Sequence, residues 1–442
     1  MSDMPQIKIT PPGENAKKII EMDDKYIMTV TKLSPIAVSH ASGALVTDVD
    51  GNTYLDFTCG AGVTNLGHCP PKVVEAIKTQ VEKVIHFAGT DFYYEYQSKL
   101  AKKLTEITPG DFDKKVFFTN SGTESVEAAI KCSRWATQKK RFISFIGSFH
   151  GRTMGALSLT GSKTVHRNRY MPLVPGVTHI PYAYCYRCPY KLTYPDCDLW
   201  CAKIIDEIYF TSFLPPDEVA ALFFECVQGE GGYIVPPMEF IPEIAKIMSK
   251  HGILMVDDEV QAGFGRTGKL FACEHYGVIP DILTLAKGMG SGVPVGAIVA
   301  RAELDFGAPG AHSSTYGGNL LSCASVMATI EVIEQENLVA NSAKLGEIIM
   351  KRLRELYDKY ELIGDVRGLG LMTATEFVKD RKTKEYAIKE KEAIVAEAYK
   401  RGLLLLPCGK SSVRYIPPIN IPEDQLNKGI DILEEAISAV TN

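Results

Sequence analysis

The chain has 442 residues, 45% of them hydrophobic and 23% charged, with a formal net charge of −5. That length allows about three domains, or one large α/β domain with a smaller one, and no apolar run approaches the ~18 residues that span a bilayer. A slightly acidic balance argues against a nucleic-acid binder. Eleven cysteines behind an opening Met1-Ser-Asp-Met-Pro-Gln-Ile-Lys that does not read as an export signal indicate a reducing cytosol and mostly free thiols.

The opening stretch, to about Lys32, is polar and reads as an arm. A hairpin follows: Ala44-Leu-Val-Thr-Asp-Val, Asp50-Gly51 as the turn, then Thr53-Tyr-Leu-Asp-Phe. After Pro70-Pro71, Val73, Val74, Ile77, Val81 and Val84 recur at helical spacing. From Lys115 short apolar runs alternate with helix-length segments. The runs are Val116-Phe-Phe-Thr, Phe142-Ile-Ser-Phe-Ile, Ala221-Leu-Phe-Phe-Glu, Ile253-Leu-Met-Val-Asp, Ile282-Leu-Thr-Leu and Gly296-Ala-Ile-Val-Ala. Buried strands of this kind predict a largely parallel sheet covered by helices on both faces. An apolar-periodic helix around Leu320–Ile333 leads out. A smaller α+β unit then carries Ile363-Gly-Asp-Val-Arg-Gly-Leu-Gly-Leu, a helix near Glu390–Arg401, strands at Leu403–Leu406 and Val413–Ile416, and a closing helix from Pro422. The expected division is 1–60 as arm and part of a small domain, 61–330 as the large domain, and 331–442 as the rest of the small one.

Gly263-Phe-Gly265-Arg-Thr-Gly268 spells a dinucleotide fingerprint, which makes a dehydrogenase the first rival. The fingerprint works only where the glycines turn a strand straight into a helix. Here Glu259-Val-Gln-Ala intervenes, the following segment is too short for a crossover helix, and no strand-end acid follows about twenty residues on. The motif does not support that reading.

Four other features make sense together. Thr119-Asn-Ser121-Gly122-Thr123-Glu lies between a strand and a helix, so the amides of Gly122 and Thr123, with hydroxyls of Ser121 and Thr123, suit a phosphate; taken alone, the segment reads more readily as a plain N-cap. Asp257-Asp258-Glu259 ends a buried strand, where α/β sheets bind ligands; no metal-binding histidine motif accompanies it. Lys287 stands beyond another strand and before a glycine turn, where desolvation would lower its pKa and favour an imine with an aldehyde. His312-Ser-Ser-Thr315-Tyr-Gly-Gly-Asn is a second hydroxyl-rich turn before a helix. A held phosphate, a lysine for an aldehyde and a carboxylate for a ring nitrogen together suit pyridoxal 5′-phosphate.

With these motifs the sequence resembles the class III aminotransferases, the group containing 4-aminobutyrate, ornithine and acetylornithine aminotransferases. The resemblance runs from Gly43-Ala-Leu-Val-Thr-Asp-Val-Asp-Gly to Arg414-Tyr-Ile-Pro-Pro. It is strongest at Val256-Asp-Asp-Glu-Val-Gln-Ala-Gly-Phe-Gly-Arg-Thr-Gly-Lys. It implies the type I fold of pyridoxal-phosphate enzymes: an α/β large domain with a mostly parallel sheet between helices, plus a small α+β domain. It also implies a homodimer or dimer of dimers in the cytoplasm, with sites at the subunit interface.

Carried over by position, the resemblance makes Lys287 the Schiff-base lysine and Asp258 the partner of the pyridine nitrogen, with Asp257 pointing the other way. Gln261 would bond the ring hydroxyl, and Phe149 would stack on the ring with His150 beside it. Ser121, Gly122 and Thr123 would hold the phosphate, joined by Thr315 of a partner subunit. Arg414 would take the α-carboxylate of 2-oxoglutarate or glutamate. Arg152 would meet the distal carboxylate, or the single carboxylate of an ω-amino acid. Glu230 resembles the gate that masks Arg414 when an ω-amine occupies the site. The implied activity is ping-pong transfer of an amino group from an ω-amino acid to 2-oxoglutarate. An amino-acid racemase on the same fold is the nearest alternative, and a non-catalytic or nucleotide-binding protein a distant one. Glu225-Cys226-Val-Gln-Gly, Gly67-His68-Cys69-Pro70-Pro71 and Gly317-Gly318-Asn319-Leu320 depart from family patterns without removing a catalytic group.

Cys185-Tyr-Arg-Cys188 with Cys197 and Cys201 stands apart from this chemistry. Four such thiols can form a tetrahedral zinc site, and free thiols or a local disulfide fit the spacing too.

Overall fold

A computed structural model describes residues 4–441; the first three residues of the expected arm lie outside it. Seven strands form the large sheet: β1 Lys114–Thr119, β2 Arg141–Phe145, β3 Val177–Ile180, β4 Val219–Phe224, β5 Leu254–Asp258, β6 Ile282–Ala286 and β7 Gly296–Arg301. Their spatial order is β1-β7-β6-β5-β4-β2-β3. β3, β2, β4, β5 and β6 pair in parallel, whereas β7 runs antiparallel to both β6 and β1.

The six predicted runs are all strands of this sheet, which is mixed rather than wholly parallel. Only Lys287–Val295 separates β6 from β7, too few residues for the crossover that a parallel neighbour requires. β3 was not predicted. Its Val-Thr-His-Ile is short, half polar and bracketed by Pro175 and Pro181, a composition suited to a sheet edge.

Burial on both faces explains the near-continuous apolar runs. All six residues of β4 and all five of β6 are buried. Along β4, Ala221 and Phe223 join Val126, Ala129 and Ile130 of the helix Gly122–Thr137. Leu222 and Phe224 face the other way, onto Ile244 and Met248 of the helix Phe240–Lys250.

A second core is built from both ends of the chain. Leu55 and Phe57 pack with Leu353, Leu403, Leu426 and Leu433. Strand Leu403–Leu404 runs parallel to Thr53–Asp56, the second strand of the predicted hairpin. An antiparallel sheet of Ile363–Leu369, Met372–Phe377, Ser412–Tyr415 and Leu406–Cys408 completes this small domain. Its helices are Leu338–Lys359, not predicted from sequence, Ile388–Lys400 and Glu423–Thr441. The polar arm holds a helix, Glu14–Tyr26, with Ala16 as its buried residue. No helix among the described residues is long and apolar enough to cross a membrane.

Candidate active site

The C-terminal ends of β1, β4, β5 and β6 open on one cavity of about 580 Å³. Ser121, Gly122, Thr123, Phe149, His150, Arg152, Glu230, Asp258, Gln261, Lys287 and Arg414 all line it. Thr315 does not: it lies on an exposed turn outside its own chain's cavity.

β5 delivers its two aspartates to opposite sides, as strand alternation requires. Asp258 faces the cavity, and its Oδ2 lies 2.7 Å from His150 Nδ1 while Oδ1 accepts the amide of Val260 at 3.1 Å. The His150 backbone is fixed by donation to Thr160 Oγ1 at 3.0 Å. Burial disfavours the imidazolium, but the hydrogen bond and charge of Asp258 outweigh it and hold His150 above its ordinary pKa. Asp257 is fully buried behind the strand and accepts a long S–H contact from Cys226. Burial together with Glu259 pushes its carboxyl well up, and burial pushes Glu259 up to about 7.

β6 ends at Ala286, and Lys287 turns sharply with a left-handed φ of 45°. A non-glycine residue adopts that region at a cost of roughly 1–2 kcal/mol, and here it swings the side chain across the strand ends. Burial, with the nearby Arg414 adding to it, lowers the Lys287 pKa against the opposing pull of Asp258.

After β1, Ser121 caps the helix Gly122–Thr137 and its Oγ accepts the Glu124 amide at 3.4 Å. The first amides of the helix have no intrahelical partner and face the cavity wall. The Thr123 hydroxyl is already engaged, lying 2.9 Å from Thr153 Oγ1 and accepting the amides of Arg152 and Thr153. The backbone amides, rather than that hydroxyl, are therefore the free donors.

Glu225 was missed in the sequence. Its carboxylate accepts the amides of Phe149 and Gly229 at 2.9 Å each, so it shapes both the aromatic wall and the loop carrying Glu230. Burial raises its pKa to about 7. Lys163 was missed as well: its Nζ is 2.6 Å from Glu230 Oε1, while Arg414 Nη2 is 3.2 Å from Glu230 Oε2. The only signal for either was its place beside a departure or a glycine turn. Arg152 is exposed at the mouth, its guanidinium 5.6 Å from the Phe149 ring centroid.

The Gly263–Gly268 segment forms turns, not a strand-to-helix junction. Arg266 within it is fully buried and donates to the carbonyls of Leu371 and Pro417 and to Asn65 Oδ1, tying the two domains together. Cys185, Cys188, Cys197 and Cys201 line a separate small cavity of about 20 Å³. Their sulfurs do not gather in one coordination sphere. Among the described residues, the one group whose ligand atoms all lie within 4.8 Å is Cys226, Asp257 and Glu259.

The residues fit a planar, phosphorylated pyridine aldehyde. Gln261 Oε1 is buried without a hydrogen-bond partner and lines the cavity, as does Asp258. A Cβ on Gly122 would come within 2.7 Å of Val260 Cγ1, so only glycine leaves the helix start open against that wall. Lys287 supplies the amine.

Fold and cavity together define a pyridoxal-phosphate enzyme. Residues 27–437 match the family described as aminotransferase class III, to which the chain belongs. It is 42% identical to an acetylornithine aminotransferase of Methanopyrus kandleri over 95% of this chain and 98% of that protein. Identity to a leucine/methionine racemase of Thermococcus litoralis is 40%, over 96% of both. A 5-aminovalerate aminotransferase of Pseudomonas aeruginosa is 39% identical, over 92% of this chain and 94% of that one. The structure superposes on a pyridoxal-phosphate-bound amine transaminase from an uncultivated Pseudomonas species with a TM-score of 0.87, at 30% identity over 94% and 98% of the two chains. Pyridoxal 5′-phosphate is the cofactor, and the chain is a class III aminotransferase.

Proposed function

We propose that the enzyme moves an amino group from an ω-amino acid, of the 4-aminobutyrate or ornithine kind, to 2-oxoglutarate in two alternating half-reactions. The observation that carries this reading is the pairing of Glu230 with Arg414 at the cavity wall. An exposed Arg414 suits an α-carboxylate by bidentate contact; masked by Glu230, it suits a donor with no carboxylate beside its amine. One pocket thereby serves two substrates of different charge. Arg152 takes the carboxylate that both share. Relatives named for acetylornithine and 5-aminovalerate, both ω-amino compounds, support the donor class.

Bound pyridoxal phosphate supplies the electron sink that lets a proton leave the carbon next to the substrate nitrogen. Asp258, oriented by His150, would pair with the ring nitrogen and favour its protonated form. Gln261 would direct the ring, and Phe149 and Val260, which also line the cavity, would pack against it. The helix-start amides of Gly122 and Thr123 fix the phosphate. Lys287, its pKa lowered by burial, would take the proton from the substrate carbon and deliver it across the nitrogen.

The active form is taken to be a homodimer or a dimer of dimers. Thr315 sits outside its own cavity, and beside it Tyr316, Phe87, Phe92 and Tyr93 are exposed, a large apolar area for a monomer to leave in water. Eleven free cysteines suit a cytoplasmic setting.

Racemisation of an α-amino acid is the second reading, supported by the racemase relative. Steady-state assays with 4-aminobutyrate, ornithine and 5-aminovalerate against 2-oxoglutarate, scored by glutamate formed, test the proposal. Glutamate formation dependent on an ω-amino donor is expected. Its absence with all three donors would reject the donor class.

A further inference from the structure

We propose that Lys163 is the second anchor of Glu230. It receives the Glu230 carboxylate when that group leaves Arg414, and so governs how well the site admits a dicarboxylic substrate. The inference rests on the two-carboxylate reading above and extends it to a residue outside the cavity lining.

Glu230 is bound at both oxygens, Oε1 to Lys163 Nζ at 2.6 Å and Oε2 to Arg414 Nη2 at 3.2 Å. The two cations differ in setting. The Arg414 side chain is 9% exposed and lines the cavity, whereas that of Lys163 is 34% exposed and stands behind Glu230. Lys163 thus touches the gate and not the substrate space.

The bond to Arg414 is the looser of the two. It is single-pronged, and Arg414 Nε is buried with no hydrogen-bond partner. A guanidinium prefers a carboxylate on two parallel donors, so Arg414 retains capacity for an incoming carboxylate that Glu230 does not fill.

Only the Glu230 side chain is free to respond. Its carbonyl accepts the Gly409 amide at 2.8 Å, and the Gly229 amide is held by Glu225. Arg367 donates to the Gly232 carbonyl through Nε at 2.9 Å and Nη2 at 2.7 Å. With the loop pinned on both sides, side-chain rotation is the movement available.

Charge explains why a second cation is needed. Arg414, Lys163 and Glu230 sum to +1, and an added substrate carboxylate brings the set to zero. Without Lys163 the same event would seat the substrate carboxylate on Arg414 and leave Glu230, displaced in a mostly buried place, without either cation. A buried charge that loses its partner is strongly unfavourable, so the gate would stay on Arg414.

Titration calorimetry of the holoenzyme with two unreactive probes, glutarate (two carboxylates) and valerate (one), isolates this role. Lys163→Met should weaken glutarate by about tenfold or more, as expected for loss of one close charge partner, and leave valerate within about twofold. Lys163→Arg should restore glutarate. In a Glu230→Gln background, Lys163→Met should change neither probe. The proposal is overturned if Lys163→Met leaves glutarate unchanged, weakens both probes alike, or acts equally without the Glu230 charge. A wild-type enzyme that binds glutarate no better than valerate would instead reject the two-carboxylate reading, and the role of Lys163 with it.

Discussion

His150 Nδ1 stands 2.7 Å from Asp258 Oδ2, with the two side chains 0% and 5% exposed. That hydrogen bond and the neighbouring charge hold the buried imidazole of His150 above its usual pKa. Both side chains line the cavity, where the pair would meet the cofactor's ring nitrogen.

Asp258→Asn keeps the shape and removes the charge, so cofactor binding and turnover should fall together. His150→Ala should weaken cofactor binding about 10–100-fold, the scale of one hydrogen bond to a charged group. Equilibrium titration of the apoenzyme with pyridoxal phosphate measures both.

Lys287→Ala should fold normally and still bind pyridoxal phosphate through Asp258 and the helix-start amides. Turnover should drop by at least about 10²–10⁴-fold, the contribution of a positioned proton-transfer group. Exogenous methylamine, which replaces the missing amine, should restore part of the rate.

Arg414→Met should raise the dissociation constant of 2-oxoglutarate about 10–100-fold, since a charge-assisted hydrogen-bonded pair is lost. Binding of an ω-amino donor should change far less. Half-reaction kinetics with each substrate separate the two effects.

Behind β5, Glu259 carries a pKa raised by burial from its ordinary 4.5 to about 7. Folding therefore favours its protonated form. That contribution to stability is complete below about pH 4.5 and is lost as pH rises through about 7. Glu259→Gln should flatten the fall in melting temperature between pH 5 and pH 8. A slope equal to wild type would assign the titration to the buried Asp257 beside it instead.

Much of this was legible in the sequence because the chemistry sits at strand ends. Apolar runs marked six of the seven large-sheet strands, and the residues just past them, Ser121 to Thr123, Asp258 and Lys287, converge because β5 and β6 are neighbours and only β7 separates them from β1. β3 escaped because an edge strand needs no apolar run, and the reversal of β7 was visible only as a short connection. Glu225 and Lys163 escaped for another reason. Each acts on a loop whose path is fixed by distant contacts, such as Arg367 on Gly232, that no local spacing encodes. The glycine fingerprint, already set aside on its sequence context, marks a turn that seats Arg266 against Leu371, Pro417 and Asn65.

A single-turnover reaction of the purified holoenzyme tests the central assignment most directly, with the cofactor's visible absorbance followed against 4-aminobutyrate, ornithine and both enantiomers of leucine and alanine. The account predicts loss of the absorbance with an ω-amino acid and its return, with formation of glutamate, on adding 2-oxoglutarate. Interconversion of leucine or alanine enantiomers with no oxo acid formed, and no response to either ω-amino acid, would contradict it.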